Sequence, residues 1–121
     1  MLKLLAYLGI GGALGTWARY GLSGLLQPPS GSFPWGTLGV NILGSLALGF
    51  LMRLLLGSSA GPELRAGLTI GFCGGFTTFS AFSWQTFQQM QKGDWLAAGG
   101  NVLLSVVLCL AATGLGARLA R

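Results

Sequence analysis

Chemistry in this chain falls to very few side chains. There is no histidine, and Glu63 and Asp94 are the only carboxylates among 121 residues. General acid–base catalysis, carboxylate metal sites and proton relays all need groups that are missing, which leaves an enzyme as the weakest reading. What remains is a set of neutral polar side chains at helical spacing. Thr37, Asn41 and Ser45 lie four residues apart, as do Asn101, Ser105 and Cys109, and residues so spaced share one helix face. A lone Ser or Thr in an apolar helix commonly does no more than bond a neighbouring helix. Two such stripes in one small protein weigh towards a wet path, because polar groups in lipid must find partners or line water. Asn41, whose carboxamide carries two donors, is the least comfortable of them in lipid.

The segment Gly71-Phe72-Cys73-Gly74-Gly75-Phe76-Thr77-Thr78-Phe79-Ser80-Ala81-Phe82-Ser83 offers a different kind of chemistry. Paired Gly beside paired Thr makes a poor regular helix, since Gly weakens it and Thr competes for backbone hydrogen bonds. A break here frees carbonyls, which are tolerable at membrane depth only if buried in protein or if they coordinate an ion. Phe79 and Phe82 follow, three apart on one face. An aromatic ring has a negative face and a positive edge, so two edges turned into a narrow path favour an anion. Packing against lipid or core remains open for both rings.

Positioning these groups is the task of four apolar segments of about 20 residues, the length that crosses a bilayer. They run over about 4–26, 35–56, 64–90 and 95–115. Gln27-Pro28-Pro29-Ser30-Gly31 cannot continue a helix, and Pro34 suits the start of the next. Residues 57–63 form the second connector, with Ser59 as a helix cap and Glu63 at the positive end of the helix dipole. Asp94 caps the fourth segment. Structural roles therefore account for both carboxylates. Gly11 and Gly15, Ser45 and Gly49, and Gly67, Gly71 and Gly75 repeat at four-residue spacing, which lets helix backbones approach closely. Cys73 and Cys109 fall in apolar runs and read as small hydrophobes.

Composition supports lipid as the solvent. Hydrophobic residues make up 52% of the chain and charged ones 7%, against about a quarter charged in soluble domains. The net charge of +5 does not indicate nucleic acid, because the seven basic residues are scattered and mostly end apolar runs. With the N-terminus, second connector and C-terminus on one side, that side holds Lys3, Arg53, Arg65, Arg118 and Arg121 against Arg19 and Lys92. This excess favours a cytoplasmic N-terminus.

Three ordered stretches carry a family resemblance. Gly11-Gly12-Ala13-Leu14-Gly15-Thr16-Trp17-Ala18-Arg19-Tyr20, Gly36-Thr37-Leu38-Gly39-Val40-Asn41-Ile42-Leu43-Gly44 and the run from Gly71 to Ser83 resemble the first-, second- and third-helix motifs of the Fluc (CrcB) fluoride channels. The resemblance implies an all-α membrane protein of the bacterial cytoplasmic (inner) membrane, built as an antiparallel, dual-topology homodimer with two fluoride pores and a third helix broken mid-membrane. It implies ring edges from Phe79 and Phe82 along each pore, a hydrogen bond from Asn41 to the anion, and Ser80, Ser105 and Thr37 along the polar track. Arg19 would draw anions into the vestibule. The carbonyls of Gly74 and Thr77, two from each subunit, would hold a central structural Na⁺. Two departures stand out: Ala81 replaces the usual Thr, and Asn101 stands where the family commonly places Tyr. Two rival readings are weaker. A proton-coupled small multidrug transporter needs a carboxylate in its first helix, and 4–26 has none. A non-conducting assembly subunit leaves the polar stripes and the broken segment unexplained.

Overall fold

The computed structural model describes every residue from Met1 to Arg121, and all of its regular structure is helical. The first helix, α1, spans Leu2–Leu26. It starts ahead of the expected residue 4, with Leu5 N donating to Met1 O at 3.1 Å. It stops at Gln27, whose backbone is extended (φ −84°, ψ 117°), because Pro28 excludes helical geometry from the residue before it. The Gln27 carboxamide then fastens the connector. Its Nε2 donates to the carbonyls of Gly31 (3.2 Å) and Phe33 (3.0 Å), and its Oε1 accepts from Gly36 N (3.1 Å). That last bond satisfies one of the free N–H groups opening α2 (Trp35–Leu56), which Pro34 precedes.

The second connector differs from expectation at Ser59. Gly61, not Ser59, precedes α3 (Pro62–Ala66), and no side chain caps it. Pro62 removes one unsatisfied N–H, so less capping is needed. The loop is held from the other side by Arg65, which donates to Ala60 O at 2.9 Å and Ser58 O at 2.8 Å. Glu63 does lie in the first turn of α3.

From α3 the chain enters a π-helical stretch, Gly67–Cys73, then the short α4, Gly74–Phe76. Thr77 (φ −94°, ψ 158°) and Thr78 (φ −150°, ψ 111°) are extended, and α5 restarts over Phe79–Gln91. The threonines stabilise this interruption themselves. Thr77 Oγ1 donates back to Cys73 O (2.9 Å), and Thr78 Oγ1 caps α5 by accepting from Ala81 N (3.1 Å). Asp94 caps α6 (Trp95–Leu119) in the same way, accepting from Ala97 N at 3.2 Å. α6 continues past the expected end at residue 115, since Gly114 and Gly116 weaken a helix without stopping it.

Small residues set the packing. α2 lies along α6, and α1 lies along the π-helical stretch and α4. A side chain on Gly49 would run into the Thr113 carbonyl, and one on Gly15 into the Phe72 carbonyl. The glycines thus permit backbone-to-backbone contact at both seams. The single chain covers little of itself: 19 of 121 residues are buried. Leu96, Leu103 and Leu110, seven apart along α6, are 65–89% exposed, so that stripe needs lipid or another protein surface against it. By length and composition, α2 and α6 are each long and apolar enough to cross a membrane.

Candidate functional site

The interruption after Phe76 is where helical hydrogen bonding is exchanged for side-chain bonding. Thr78 N would ordinarily donate to Gly74 O, and Ala81 N to Thr77 O. Thr78 N instead donates to Asn41 Oδ1 (2.7 Å), and Ala81 N to Thr78 Oγ1. The Gly74 and Thr77 carbonyls are thereby left without their helical donors. Asn41 Nδ2 returns a bond to Thr78 O at 3.1 Å, so its carboxamide grips one backbone unit at both ends. Its second N–H stays available. Arg19 reaches the same region from α1, with Nε donating to Gly75 O at 3.0 Å.

A concave groove of about 460 Å³ opens beside this junction. Asn41 and Ser45 of α2 line one wall, Ser105 and Cys109 of α6 another, and Thr77, Phe79 and Phe82 the third. The two polar stripes therefore meet in one concavity, together with Gly74. The rings of Phe79 and Phe82 are 5.3 Å apart and tilted 46° to one another. Phe82 is half-buried, whereas Phe79 is 79% exposed. No acidic residue lines the groove. Its side chains offer hydroxyl and amide donors and no carboxylate, so no fixed negative charge in the lining repels an anion.

Behind the groove runs a buried relay. Ser105 Oγ donates to Asn101 Oδ1 (3.4 Å), Asn101 Nδ2 to Thr86 Oγ1 (2.9 Å), and Thr86 Oγ1 to Phe82 O (2.8 Å). Asn101 is 1% exposed. Every step has a partner, which is what makes a buried polar chain tolerable. The relay couples the Ser105 hydroxyl to the backbone of Phe82.

The family model described as CrcB-like protein, Camphor Resistance (CrcB), matches residues 6–117. The chain belongs to the CrcB family. Its similarity to curated proteins runs nearly end to end. It is 48% identical to the fluoride-specific ion channel FluC of Geotalea daltonii, over 99% of this chain and 98% of the relative. It is 50% identical to that of Geobacter metallireducens, over 91% and 90%, and 46% identical to that of Opitutus terrae, over 95% and 90%. With its apolar exterior and spanning-length helices, this CrcB-family chain is an integral membrane protein and a channel rather than an enzyme.

The remaining residues singled out from the CrcB motifs fall around the groove rather than in it. Ser80 is exposed and shares a hydrogen bond of 3.2 Å with Thr78 Oγ1. Thr37, 8% exposed, sits one turn from Asn41 and lines a second groove, with Gln85, Gln89 and Lys92. Arg19 is tied to Gly75 rather than extended into solvent. Sequence reasoning missed Thr86 and the pairing of Asn41 with Thr78. Thr86 carried a weak signal, at four residues from Phe82 where a Thr bonds back to the helix carbonyl. The Asn41 pairing joins positions 37 residues apart and left no local trace.

Proposed function

We propose that this chain is the subunit of a fluoride-selective passive channel that exports fluoride from the cytoplasm down its electrochemical gradient. The observation that carries the reading is the groove that joins two phenyl rings, a carboxamide and a serine hydroxyl without any acid. The fluoride channels to which the chain is 46–50% identical support it.

Four membrane-spanning helices per subunit, the third interrupted at mid-membrane, pair with a second copy in an antiparallel homodimer with two pores. One groove supplies a single wall, and the opposing subunit supplies the other. Within each pore the ring edges of Phe79 and Phe82 face the anion, the free N–H of Asn41 donates to it, and Ser80, Ser105 and Thr37 extend the polar track. These groups, with Ser105 turning its one proton from Asn101 Oδ1 to the passing ion, take the place of the water that fluoride sheds; chloride, larger and more weakly coordinated by them, is excluded. Arg19, held beside the interruption, adds positive charge near the entrance.

The Gly74 and Thr77 carbonyls, freed of their helical donors, are hard neutral oxygens of the kind that suits Na⁺. Two from each subunit would make four. Such an ion supplies fixed positive charge that favours nearby anions and ties the subunits together. Transport itself needs no coupling. HF crosses the inner membrane uncharged and dissociates inside, and the membrane potential drives the anion out.

Efflux from proteoliposomes loaded with fluoride or chloride, read with ion-selective electrodes, tests the reading. Rapid fluoride release with negligible chloride release supports it, and comparable release of both refutes it.

A further inference from the structure

The second groove, about 580 Å³ and bounded by the end of α1 with its connector, the start of α2 and the latter half of α5, holds polar atoms the fold leaves unused. Gln89 is 7% exposed, and neither its Oε1 nor its Nε2 has a hydrogen-bond partner. Gln85 Oε1, one turn earlier, is buried in the same condition. Buried amides without partners forfeit the bonds they had in water, and those that persist in a structure call for an explanation. Three such atoms on one helix face, lining one groove, make a ligand site the direct explanation.

The surroundings define the ligand. Lys92 is the one charged residue lining the groove, and Pro34, Gly36 and Thr37 bring the N-terminal end of the 22-residue α2 to its wall. Both features favour negative charge. The unused amide atoms comprise one donor group and two acceptors. A bare anion would satisfy only the donor. An anion that carries water satisfies all three, because its water can donate to the glutamine oxygens. The position agrees with this. Thr37 lies one helical turn from Asn41, and Gln85 and Gln89 continue along α5 from Phe82, so the two rows lead from the first groove into the second.

We propose that Gln85, Gln89 and Lys92 form a second anion site, at the end of the conducting path nearest the 27–34 connector, where fluoride regains its water. The site rests on the fluoride reading and adds a step to it. Selectivity stays with the ring edges; the amides set how fast the dehydrated ion clears the narrow path.

The test is fluoride and chloride efflux from proteoliposomes of the wild type, Gln89→Leu and Lys92→Glu, with thermal melting of each in detergent. Gln89→Leu keeps the volume and removes the amide. The expected result is fluoride release slowed about tenfold, the scale of one lost hydrogen bond to an ion, with chloride still excluded and the melting temperature not lowered. Wild-type rates in Gln89→Leu would mean that the amides are inert packing and would overturn the site. A slower rate accompanied by chloride leakage would overturn it too, by pointing to deformation at Phe82. Should Gln89→Leu not fold, the exposed Lys92→Glu decides. Its release should be several-fold slower at low ionic strength and recover when a bulky impermeant salt is added, whereas a wild-type rate at both salts overturns the site. Normal wild-type efflux with unaffected variants removes only this site, while a wild type that releases no fluoride removes the channel reading as well.

Discussion

Asn41 performs two tasks with one carboxamide. It replaces the helical bonds that Thr78 gives up, and in the proposed pore its remaining N–H faces the anion. Asn41→Ala should therefore damage both stability and transport. Losing two bonds to a partly buried backbone unit is expected to cost about 1–3 kcal/mol, seen as a lower melting temperature, with fluoride efflux reduced more than tenfold. Phe82→Ile separates the ring's electrostatics from its bulk. It keeps an apolar side chain and removes the positive edge, so efflux should fall by about tenfold or more, taking an ion–ring contact of ~1–2 kcal/mol as the scale, with the size-exclusion profile unchanged. An isoleucine channel that conducts normally would exclude ring edges as ligands. Asn101→Leu tests the relay. It releases the Ser105 hydroxyl and removes a donor from Thr86, while Thr86 keeps its bond to Phe82 O. Stability should fall by about 1–2 kcal/mol, and the fluoride rate should change because the Ser105 proton is no longer committed to Asn101.

At the scale of elements, the groove exists because α2 and α6 approach closely enough for their polar stripes to share it. Gly49 and Gly116 make that approach possible, since a side chain on Gly116 would run into the Leu46 carbonyl just as one on Gly49 would meet Thr113. Gly49→Val should force the helices apart, at a cost of about 1–3 kcal/mol or more, and lower the recovery of folded protein by size exclusion. Gly114→Ala, on the same helix with nothing within 4 Å of the added carbon, should be neutral or stabilising by up to about 1 kcal/mol. Equal damage from both would show that the close approach at Gly49 is not what governs the seam. The segments, their punctuation and the glycine repeats could be read from the sequence because they are local signals of period and turn chemistry. The exchange of bonds at Thr77–Thr78 was readable only as a weakness. Which partner takes up the freed N–H depends on a residue of another helix; at the second connector the difference is local, since Pro62 lets α3 start after Gly61 without the Ser59 cap. The candidate residues on α2, α5 and α6 were visible as stripes, whereas the assignment of Thr37 to a separate groove needed the helices in place.

For the whole molecule, the sparse burial leaves most of the chain's surface to be covered by lipid or by another protein surface. The excess of basic residues at one end favours a single orientation, whereas the proposed antiparallel dimer requires both. Single-cysteine variants at one terminus, made after replacing Cys73 and Cys109, resolve the conflict. Weak cross-linking of like ends and efficient pairing of opposite ends is the expected outcome, and efficient like-end pairing would contradict the antiparallel arrangement.

Phe82 and Gln89 are both on α5, seven residues apart, and a helix returns to nearly the same face after that interval. Along the helix axis they are separated by about 10 Å, roughly a third of a ~30 Å hydrocarbon core. If α5 stands along the membrane normal, an anion passing from ring to amides crosses a comparable share of the transmembrane voltage. With about 2.3 kcal/mol per charge for each 100 mV, that share is about 0.8 kcal/mol per 100 mV. A channel slowed at this step would show a current that bends with voltage, several-fold over 150 mV, and the curvature would report which stretch of the path limits the flow.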